Sequence, residues 1–378
     1  MNLVWVPIES LQERYTAQWA SEFPKEFIKA GFDVTVIEGE PLSNHVEVGT
    51  FLDINSTVAF KSSQMQKIAR LFHTKQVKDG TVFFFGDIEF WGIEAVRLMA
   101  DMNKVKVKLT GFLHAASYTK GDAFEIAAPY QRYTEVGWIA AMDRVFVGSE
   151  YHKKAVTERR LHISNVVKLE NRILVTGNPT FASQYEDFGT LERCNRILLT
   201  NRFDSEKDVE QTLELFLRAH QAHPDWEFAI CTGRKEFRSN DPALVAKARA
   251  YEKAGVLEIH EGLTKREYHH MLATSKVMVS HSREESFGYC VVEAMRYGCV
   301  PYLKNNASHP ELVNLDSEPL TQRMLFDPHI GYDEQIRGLE YLMTRGVNEQ
   351  LLKARAAYYD KYPLFAITDC LKELAHAP

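Results

Sequence analysis

The strongest constraint on the fold is an alternation, along the whole chain, of short apolar β-branched runs with segments of helical period. Examples of the apolar runs are TVFFFG at residues 81–86 and KVMVSHS at residues 276–282. This alternation is typical of βαβ units and parallel sheets. The runs are continuously apolar, which is expected when helices cover both faces of a sheet. We therefore predict an α/β fold with doubly wound, Rossmann-like parallel sheets.

A polar stretch at residues 180–192 divides the runs into two series, and a chain of 378 residues suits two domains of roughly 100–200 residues each. We predict an N-terminal domain over residues 1–180 and a C-terminal domain over residues 181–362. Residues 363–378 are predicted to form a helix that packs back towards the first domain. Two such sheets imply a cleft, with ligands at the carboxyl ends of the strands.

Composition restricts the class of protein. No apolar run approaches the ~20 residues of a membrane-spanning helix, and the start MNLVWVPIES predicts a strand rather than a signal peptide. Five cysteines, without zinc-site spacing, predict reduced thiols in a cytoplasmic protein. The net charge is −6, yet residues 1–180 hold 21 basic and 21 acidic residues. This balance neither indicates nor excludes a polyanionic partner.

The motif ESFGYCVVE at residues 285–293 follows a predicted strand and contains two carboxylates eight residues apart. The backbone N–H groups of a helix N-terminus there suit a diphosphate, and Gly288 allows a close approach. Glu293 would then reach a ribose diol and Glu285 the sugar of a donor. Solvated charges at a helix end are the alternative explanation.

A second motif, NRFDSEK at residues 201–207, follows another predicted strand and leads into a helix. Arg202 and Lys207 can bind the two phosphates of a leaving nucleotide, the Arg as a fork and the Lys as a point charge. Both cations would stabilise charge that develops in the transition state. Taken alone, the motif also fits a solvated basic loop.

Together with CTGR at residues 231–234 and EGLTKREYHHML at residues 261–272, these motifs resemble the retaining GT-B glycosyltransferases of family 4. The resemblance covers most of residues 195–315. It implies a nucleotide-sugar donor, most simply a UDP-sugar, and transfer of a hexose with retention to a hydroxyl acceptor. It also implies that the N-terminal domain binds the acceptor and that the C-terminal domain binds the nucleotide-sugar. The donor-binding residues that it implies are Arg202, Lys207, Gly233, Leu263, Phe287, Gly288, Tyr289 and Glu293.

In the N-terminal domain the resemblance is thinner. It implies that His114 approaches the donor sugar, as a fourth candidate catalytic residue beside Glu285, Arg202 and Lys207. The family's glycine-rich loop after the first strand is absent, and residues 7–16 stand in its place. Arg14 in that segment is either a source of positive charge or a surface residue.

Further carboxylates follow strands in the same domain. Asp87 and Glu89 either orient an acceptor hydroxyl or cap the next helix. Tyr118 and Asp122 lie in a loop expected on the acceptor side. The basic segment at residues 153–160 is interpreted as a solvated helix face.

No cluster has metal-ligand spacing, and no residue stands out as a nucleophile. We expect metal-independent, front-face transfer without a cofactor beyond the nucleotide-sugar donor. The acceptor partner is a glycan, a small molecule or modified DNA. ERYTAQW and WGIEAVRL resemble phage-encoded GT-B proteins, some of which glycosylate hydroxymethylated bases. A non-catalytic sugar-nucleotide-binding module is the remaining alternative.

Overall fold

The computed structural model describes residues 1–10, 15–42, 53–120, 124–161, 168–232, 236–314 and 318–377. The chain divides into two compact units. Unit 1 comprises Met1–Phe181 and Lys361–Pro378, and unit 2 comprises Ala182–Asp360. Each unit contains a six-stranded sheet in which every pairing is parallel.

The sheet of unit 1 has the strand order β2-β1-β3-β4-β5-β6. Its strands are β1 Asn2–Val6, β2 Asp33–Val36, β3 Thr81–Phe85, β4 Val107–Phe112, β5 Arg144–Val147 and β6 Ile173–Val175. The helices before the final one are α1 Tyr15–Lys29, α2 Ile54–His73, α3 Ile93–Met102, α4 Ala128–Ala141 and α5 Glu150–Arg159. The apolar runs bury aromatic rings in layers, and Trp5 packs on Phe23, Phe27 and Phe84. Burial on this scale supplies the main driving force for forming the unit.

The sheet of unit 2 has the order β12-β11-β10-β7-β8-β9. Its strands are β7 Cys194–Leu199, β8 Glu227–Cys231, β9 Glu258–His260, β10 Ser275–Ser280, β11 Val300–Lys304 and β12 Leu325–Phe326. Its helices are α6 Val209–Ala222, α7 Pro242–Lys253, α8 Lys265–Thr274, α9 Tyr289–Arg296, α10 His309–Leu312, α11 Glu318–Met324 and α12 Tyr332–Arg345. The central strands β7 and β10 are almost fully buried over their carboxyl halves.

The last helix, α13, extends over Glu349–His376 and continues through Pro363. Its first part belongs to unit 2 and its last part to unit 1, since the boundary between the units falls at Asp360 and Lys361. Arg296 donates two hydrogen bonds to the Asp360 carboxylate and so ties this helix to α9 within unit 2. No helix among the described residues is long and apolar enough to cross a membrane.

The predicted α/β fold with two doubly wound parallel sheets is confirmed. Two strands depart from the pattern on which the prediction rested. β2 is an edge strand whose residues are mostly exposed, so it is not covered on both faces. β12 has only two residues, too few to form a recognisable apolar run.

Candidate functional site

The strand order of unit 2 reverses between its two central neighbours, β7 and β10. The chain leaves β7 towards β8 on one side, whereas β10 leads to β11 on the other. In open parallel sheets such a switch point opens a crevice at the carboxyl ends of the strands, where ligands bind. The two motifs singled out in the sequence follow these two strands. Their side chains therefore meet at one edge of the sheet.

Lys207 and Glu285 form an ion pair at this edge. The Lys207 Nζ donates to the Glu285 Oε2 over 2.9 Å and to the backbone carbonyl of Glu284 over 3.0 Å. Both side chains are largely buried, with 10% and 15% exposure. Burial alone would raise the pKa of Glu285, but Lys207, then His309 and Arg202, outweigh it and hold the pKa below its ordinary value. The carboxylate is therefore charged at neutral pH.

Arg202 lies on the same loop with a more open guanidinium. Its Nη2 donates to the Glu206 Oε1 over 2.7 Å, and its Nη1 lies 3.6 Å from the Asp204 Oδ2. About a third of the side chain is exposed. Arg202 and Lys207 both have carboxylate partners here. An incoming diphosphate would therefore share these two cations with the carboxylates.

Asp208 connects the two loops. It adopts a left-handed conformation with φ of 53° and precedes α6. Its buried carboxylate accepts from Arg283 over 2.7 Å and from Lys304 over 3.4 Å. The backbone N–H of Arg283 also donates to the Glu206 carbonyl over 3.2 Å. These contacts fix the loop that carries Lys207 against the loop that carries Glu285.

The turn between Glu285 and α9 depends on Gly288, which is the N-cap residue with φ of 100°. A Cβ atom there would lie 2.8 Å from the Leu312 Cδ1 and 3.3 Å from the Glu285 Cγ. Phe287 is buried and packs on Tyr289 and Tyr359. The Phe287 ring thus belongs to the core of unit 2, which leaves the backbone of the turn for any ligand contact.

Glu293 lies in α9 and faces α8. Its Oε2 accepts from the Tyr268 hydroxyl over 3.3 Å, and its Oε1 lies 4.0 Å from the His269 Nε2. Burial raises the pKa of Glu293, and Lys265, Tyr268 and Arg296 oppose that shift only in part. Leu263 precedes the capping box by which Thr264 begins α8, and it packs partly buried against the core.

The polar residues of unit 1 gather where its own strand order reverses, between β1 and β3. Asp87 follows β3, and its Oδ2 accepts from the buried Lys61 of α2 over 2.7 Å. Lys61 also donates to the Glu89 carbonyl. The N-cap residue of α3 is Gly92, so the prediction is wrong in that neither Asp87 nor Glu89 occupies the N-cap position of that helix. The Asp87 Oδ1 accepts from the Glu89 backbone N–H over 3.0 Å.

His114 follows β4 and is held by two hydrogen bonds. Its Nε2 donates to the Gly86 carbonyl over 2.7 Å, so its Nδ1 accepts from the Tyr15 hydroxyl at 3.0 Å. Burial lowers the pKa of His114, although nearby Asp87 works against that shift. The ring is neutral, and a sugar hydroxyl could form a hydrogen bond to a ring nitrogen only by replacing Tyr15 or the Gly86 carbonyl.

Tyr118 is buried, and its hydroxyl lies 2.6 Å from the His152 Nε2. Beside it, the Arg160 Nε donates to the Glu135 Oε2 over 2.6 Å, with 11% and 3% exposure. Arg160 therefore lies in the interior, and the expectation that the whole basic segment is a solvated face is wrong at this residue. Arg14, Asp122 and Gly233 lie outside the described residues.

Three residues at these sites were not predicted from the sequence. Lys61 comes from the middle of α2 and Tyr268 from the interior of α8. His309 is the first residue of α10, 24 residues after Glu285. Lys61 and His309 lie outside the motifs, whereas Tyr268 lies within EGLTKREYHHML but was assigned no role there. The run NNASHPEL directly follows β11, a strand-end position at which ligand-binding residues are expected. The described residues contain no group of three or more His, Cys, Asp or Glu side chains that could hold a metal ion.

Solved structures with the same fold cover most or nearly all of the chain. Sucrose-phosphate synthase from Thermosynechococcus elongatus is 12% identical, with a TM-score of 0.66 and 99% of each chain covered. The catalytic domain of starch synthase IV from Arabidopsis thaliana, bound to ADP and acarbose, is 12% identical with a TM-score of 0.67, covering 99% of this chain and 98% of that one. The pneumococcal O-GlcNAc transferase GtfA, in complex with UDP and GlcNAc, is 13% identical with a TM-score of 0.54 over 82% of this chain and 60% of that one. These likenesses establish a GT-B fold.

The site-bearing unit has a more specific match. Residues 183–359 match the family model of glycosyl transferases group 1. A comparison with curated proteins found no match. The chain thus carries a glycosyl transferases group 1 domain within a GT-B fold, and this supports glycosyl transfer as its class of function.

Proposed function

We propose that the chain is a retaining, metal-independent glycosyltransferase that moves a hexose from a UDP-sugar to a hydroxyl acceptor. The observation that carries the proposal is the Lys207–Glu285 pair at the strand switch point of the matched domain. A cation and a carboxylate held together there can serve the two ends of a donor. The ammonium faces the leaving diphosphate, and the carboxylate faces the sugar on which positive charge builds.

The reaction exchanges one bond at the anomeric carbon. The bond from that carbon to the diphosphate oxygen breaks, and a bond to the acceptor oxygen forms on the same face of the sugar. The acceptor proton passes to the leaving phosphate oxygen, and the nucleoside diphosphate departs. Arg202 and Lys207 stabilise the developing phosphate charge, which is the part that a metal ion supplies in other transferases. No cofactor beyond the donor is required.

Glu293 is proposed to bind the donor ribose, with Tyr268 orienting its carboxylate. The turn at Gly288 brings the backbone of α9 to the diphosphate, and the N–H groups in the first turn of a helix suit an anion. Structures of the same fold bound to ADP and to UDP support a nucleoside diphosphate as the common element. The choice of UDP rests on the family resemblance.

The acceptor is proposed to bind to unit 1 near Asp87 and His114, and a glycan or small molecule fits best. Modified DNA would need several phosphate contacts. The basic segment that could provide them loses Arg160 to the buried pair with Glu135. Reversing the charge of Lys153 and Lys154 together should leave turnover within about twofold. Sugar on hydroxymethylated DNA, lost in that variant and at raised salt, would favour the DNA alternative.

The direct test incubates the chain with a panel of nucleotide sugars against glycans, small molecules and hydroxymethylated DNA, and identifies products by mass spectrometry. Proton NMR of the product then reports the anomeric configuration, where inversion would contradict retention. Turnover should survive EDTA, and loss that only Mg²⁺ or Mn²⁺ restores would contradict metal independence. Nucleotide binding without any turnover would indicate a sugar-nucleotide-binding module instead.

A further inference from the structure

His309 lies at the first residue of α10, against the turn that carries Glu285. The neighbouring Ser308 donates its backbone N–H to the Glu285 carbonyl over 3.2 Å and its hydroxyl to the Phe287 carbonyl over 2.9 Å. Leu312 of the same short helix packs where a Gly288 side chain would lie. The segment after β11 is thus fixed directly onto the ESFG turn.

The hydrogen bonding of His309 determines which ring nitrogen carries the proton. Its Nδ1 lies 2.9 Å from the backbone carbonyl of Lys304. A carbonyl can only accept, so Nδ1 is the donor. Burial lowers the pKa of His309, which keeps the ring neutral at physiological pH despite the opposing effect of Glu285. The Nε2 atom therefore has a lone pair and no proton.

That Nε2 atom is buried and has no hydrogen-bond partner among the described residues. The His309 side chain is fully buried. Glu285 and Lys207 are close enough to act on the pKa of His309. An unpaired buried acceptor costs about 1–3 kcal/mol. Such an atom, closed off in the ligand-free fold beside Glu285, is satisfied if a bound ligand displaces the side chains that cover it and supplies the donor.

We propose that His309 is a specificity-determining residue whose Nε2 accepts a hydrogen bond from one hydroxyl group of the transferred hexose. This rests on the proposed function, since it assumes that the donor sugar lies beside Glu285. A neutral imidazole acceptor selects a hydroxyl at that position and disfavours any substituent that cannot donate. Its effect falls on the sugar and not on the nucleoside diphosphate.

The test uses calorimetry with UDP, with UDP-glucose and with its 3-, 4- and 6-deoxyfluoro analogues, or the matching set for whichever nucleotide hexose the panel identifies. Fluorine cannot donate a hydrogen bond. One analogue should bind the unaltered chain about 5–20-fold more weakly than the parent sugar. His309→Asn keeps a short amide near the Nδ1 position and removes the Nε2 acceptor, and it should abolish that discrimination while binding UDP normally.

His309→Gln places an amide oxygen near the Nε2 position and should retain part of the discrimination, which also guards against a folding defect in the Asn variant. His329→Asn, at an exposed histidine of the same unit, is the matched control and should change nothing. Discrimination that persists in His309→Asn, or an equal loss of UDP and UDP-sugar affinity, overturns the inference alone. A chain that binds none of the nucleotides overturns the proposed function as well.

Discussion

At the scale of single residues, Lys207 and Arg202 differ in what happens to their carboxylate partners when the cation is removed. Lys207 is buried with Glu285, whereas the Arg202 guanidinium is about a third exposed. Removing Lys207 leaves a buried carboxylate without its cation, and such a loss is costly. Removing Arg202 leaves Glu206, whose pKa is already raised by burial and which can take up a proton. The two cations are therefore separable by experiment.

We predict that Arg202→Ala and Lys207→Ala each weaken UDP binding by about 1.5–3 kcal/mol, the range for hydrogen bonds to charged groups. Lys207→Ala should also lower the melting temperature, and Arg202→Ala should not. Calorimetry and thermal unfolding measure the two effects, with the exposed Lys253→Ala as control. Unchanged UDP affinity in both variants would remove these residues from the site.

The two glutamates should separate kinetically. Glu293→Ala should raise KM with little change in kcat, because its carboxylate is proposed to hold the ribose in ground and transition state alike. Glu285→Gln should mainly lower kcat, because it removes charge that faces the sugar as positive charge develops. Steady-state kinetics with saturating acceptor distinguish them. A Glu285→Gln variant altered only in KM would contradict this division of roles.

These residues also show what the sequence can and cannot predict. Lys207 and Glu285 follow apolar strands, and parallel strands bring their carboxyl ends together, so their proximity was foreseeable. Lys61 reaches Asp87 from a helix 26 residues earlier, and Tyr268 reaches Glu293 from another helix. Such contacts depend on how a packed helix is rotated about its own axis. The hydrophobic period of the sequence shows which face of the helix is buried, but it does not fix that rotation more closely. They become visible only in the folded chain.

At the scale of elements, the turn before α9 depends on a glycine for two reasons, its positive φ and the lack of space for a Cβ. We predict that Gly288→Ala destabilises the chain and reduces UDP binding, because Leu312 or Glu285 must move. Gly255 has a similar φ of 73°, but no atom lies within 4 Å of the place that a Cβ would take there. Gly255→Ala should therefore cost only the backbone strain, about 1–2 kcal/mol.

The difference between these two variants isolates the steric part. Denaturant unfolding gives the stability difference, and calorimetry gives UDP affinity. Equal destabilisation in both variants, with UDP affinity retained in Gly288→Ala, would show that the turn tolerates a side chain. The site would then not depend on close backbone approach at that position.

Elements with a strong apolar pattern were predictable, and those without one were not. The buried strands β3 and β10 correspond to TVFFFG and KVMVSHS. The helix α13 continues through Pro363, where the missing N–H and the ring would favour a kink. Tertiary packing overrides this local preference, because Tyr359 before the proline and Ile367 after it are both buried.

At the scale of the whole molecule, each unit retains neutral histidines in its interior. Burial lowers the pKa of His152 to about 3, and it lowers the pKa of His269 and His281 to about 4. In the unfolded chain each ring binds a proton near its ordinary pKa of 6.5. The unfolded state therefore takes up more protons as the pH falls below that value. Stability from these residues is present above pH 6.5 and is lost towards the folded pKa.

We predict that His152 alone makes the free energy of unfolding fall by about 2 kcal/mol between pH 7 and pH 5. His152→Gln keeps a polar partner for the Tyr118 hydroxyl near the Nε2 position but does not titrate. Between pH 7 and pH 5 its free energy of unfolding should therefore fall by about 2 kcal/mol less than that of the unaltered chain. Four of the five tryptophans lie in unit 1, so intrinsic fluorescence during urea unfolding follows this unit. His376→Gln, at an exposed histidine of the same unit, should keep the full pH dependence. The other titrating groups are the same in both chains, so their contributions cancel when the two are compared. If the free energy of unfolding fell equally with pH in His152→Gln and in the unaltered chain, His152 would take up its proton equally in the folded and unfolded states, which would contradict the prediction.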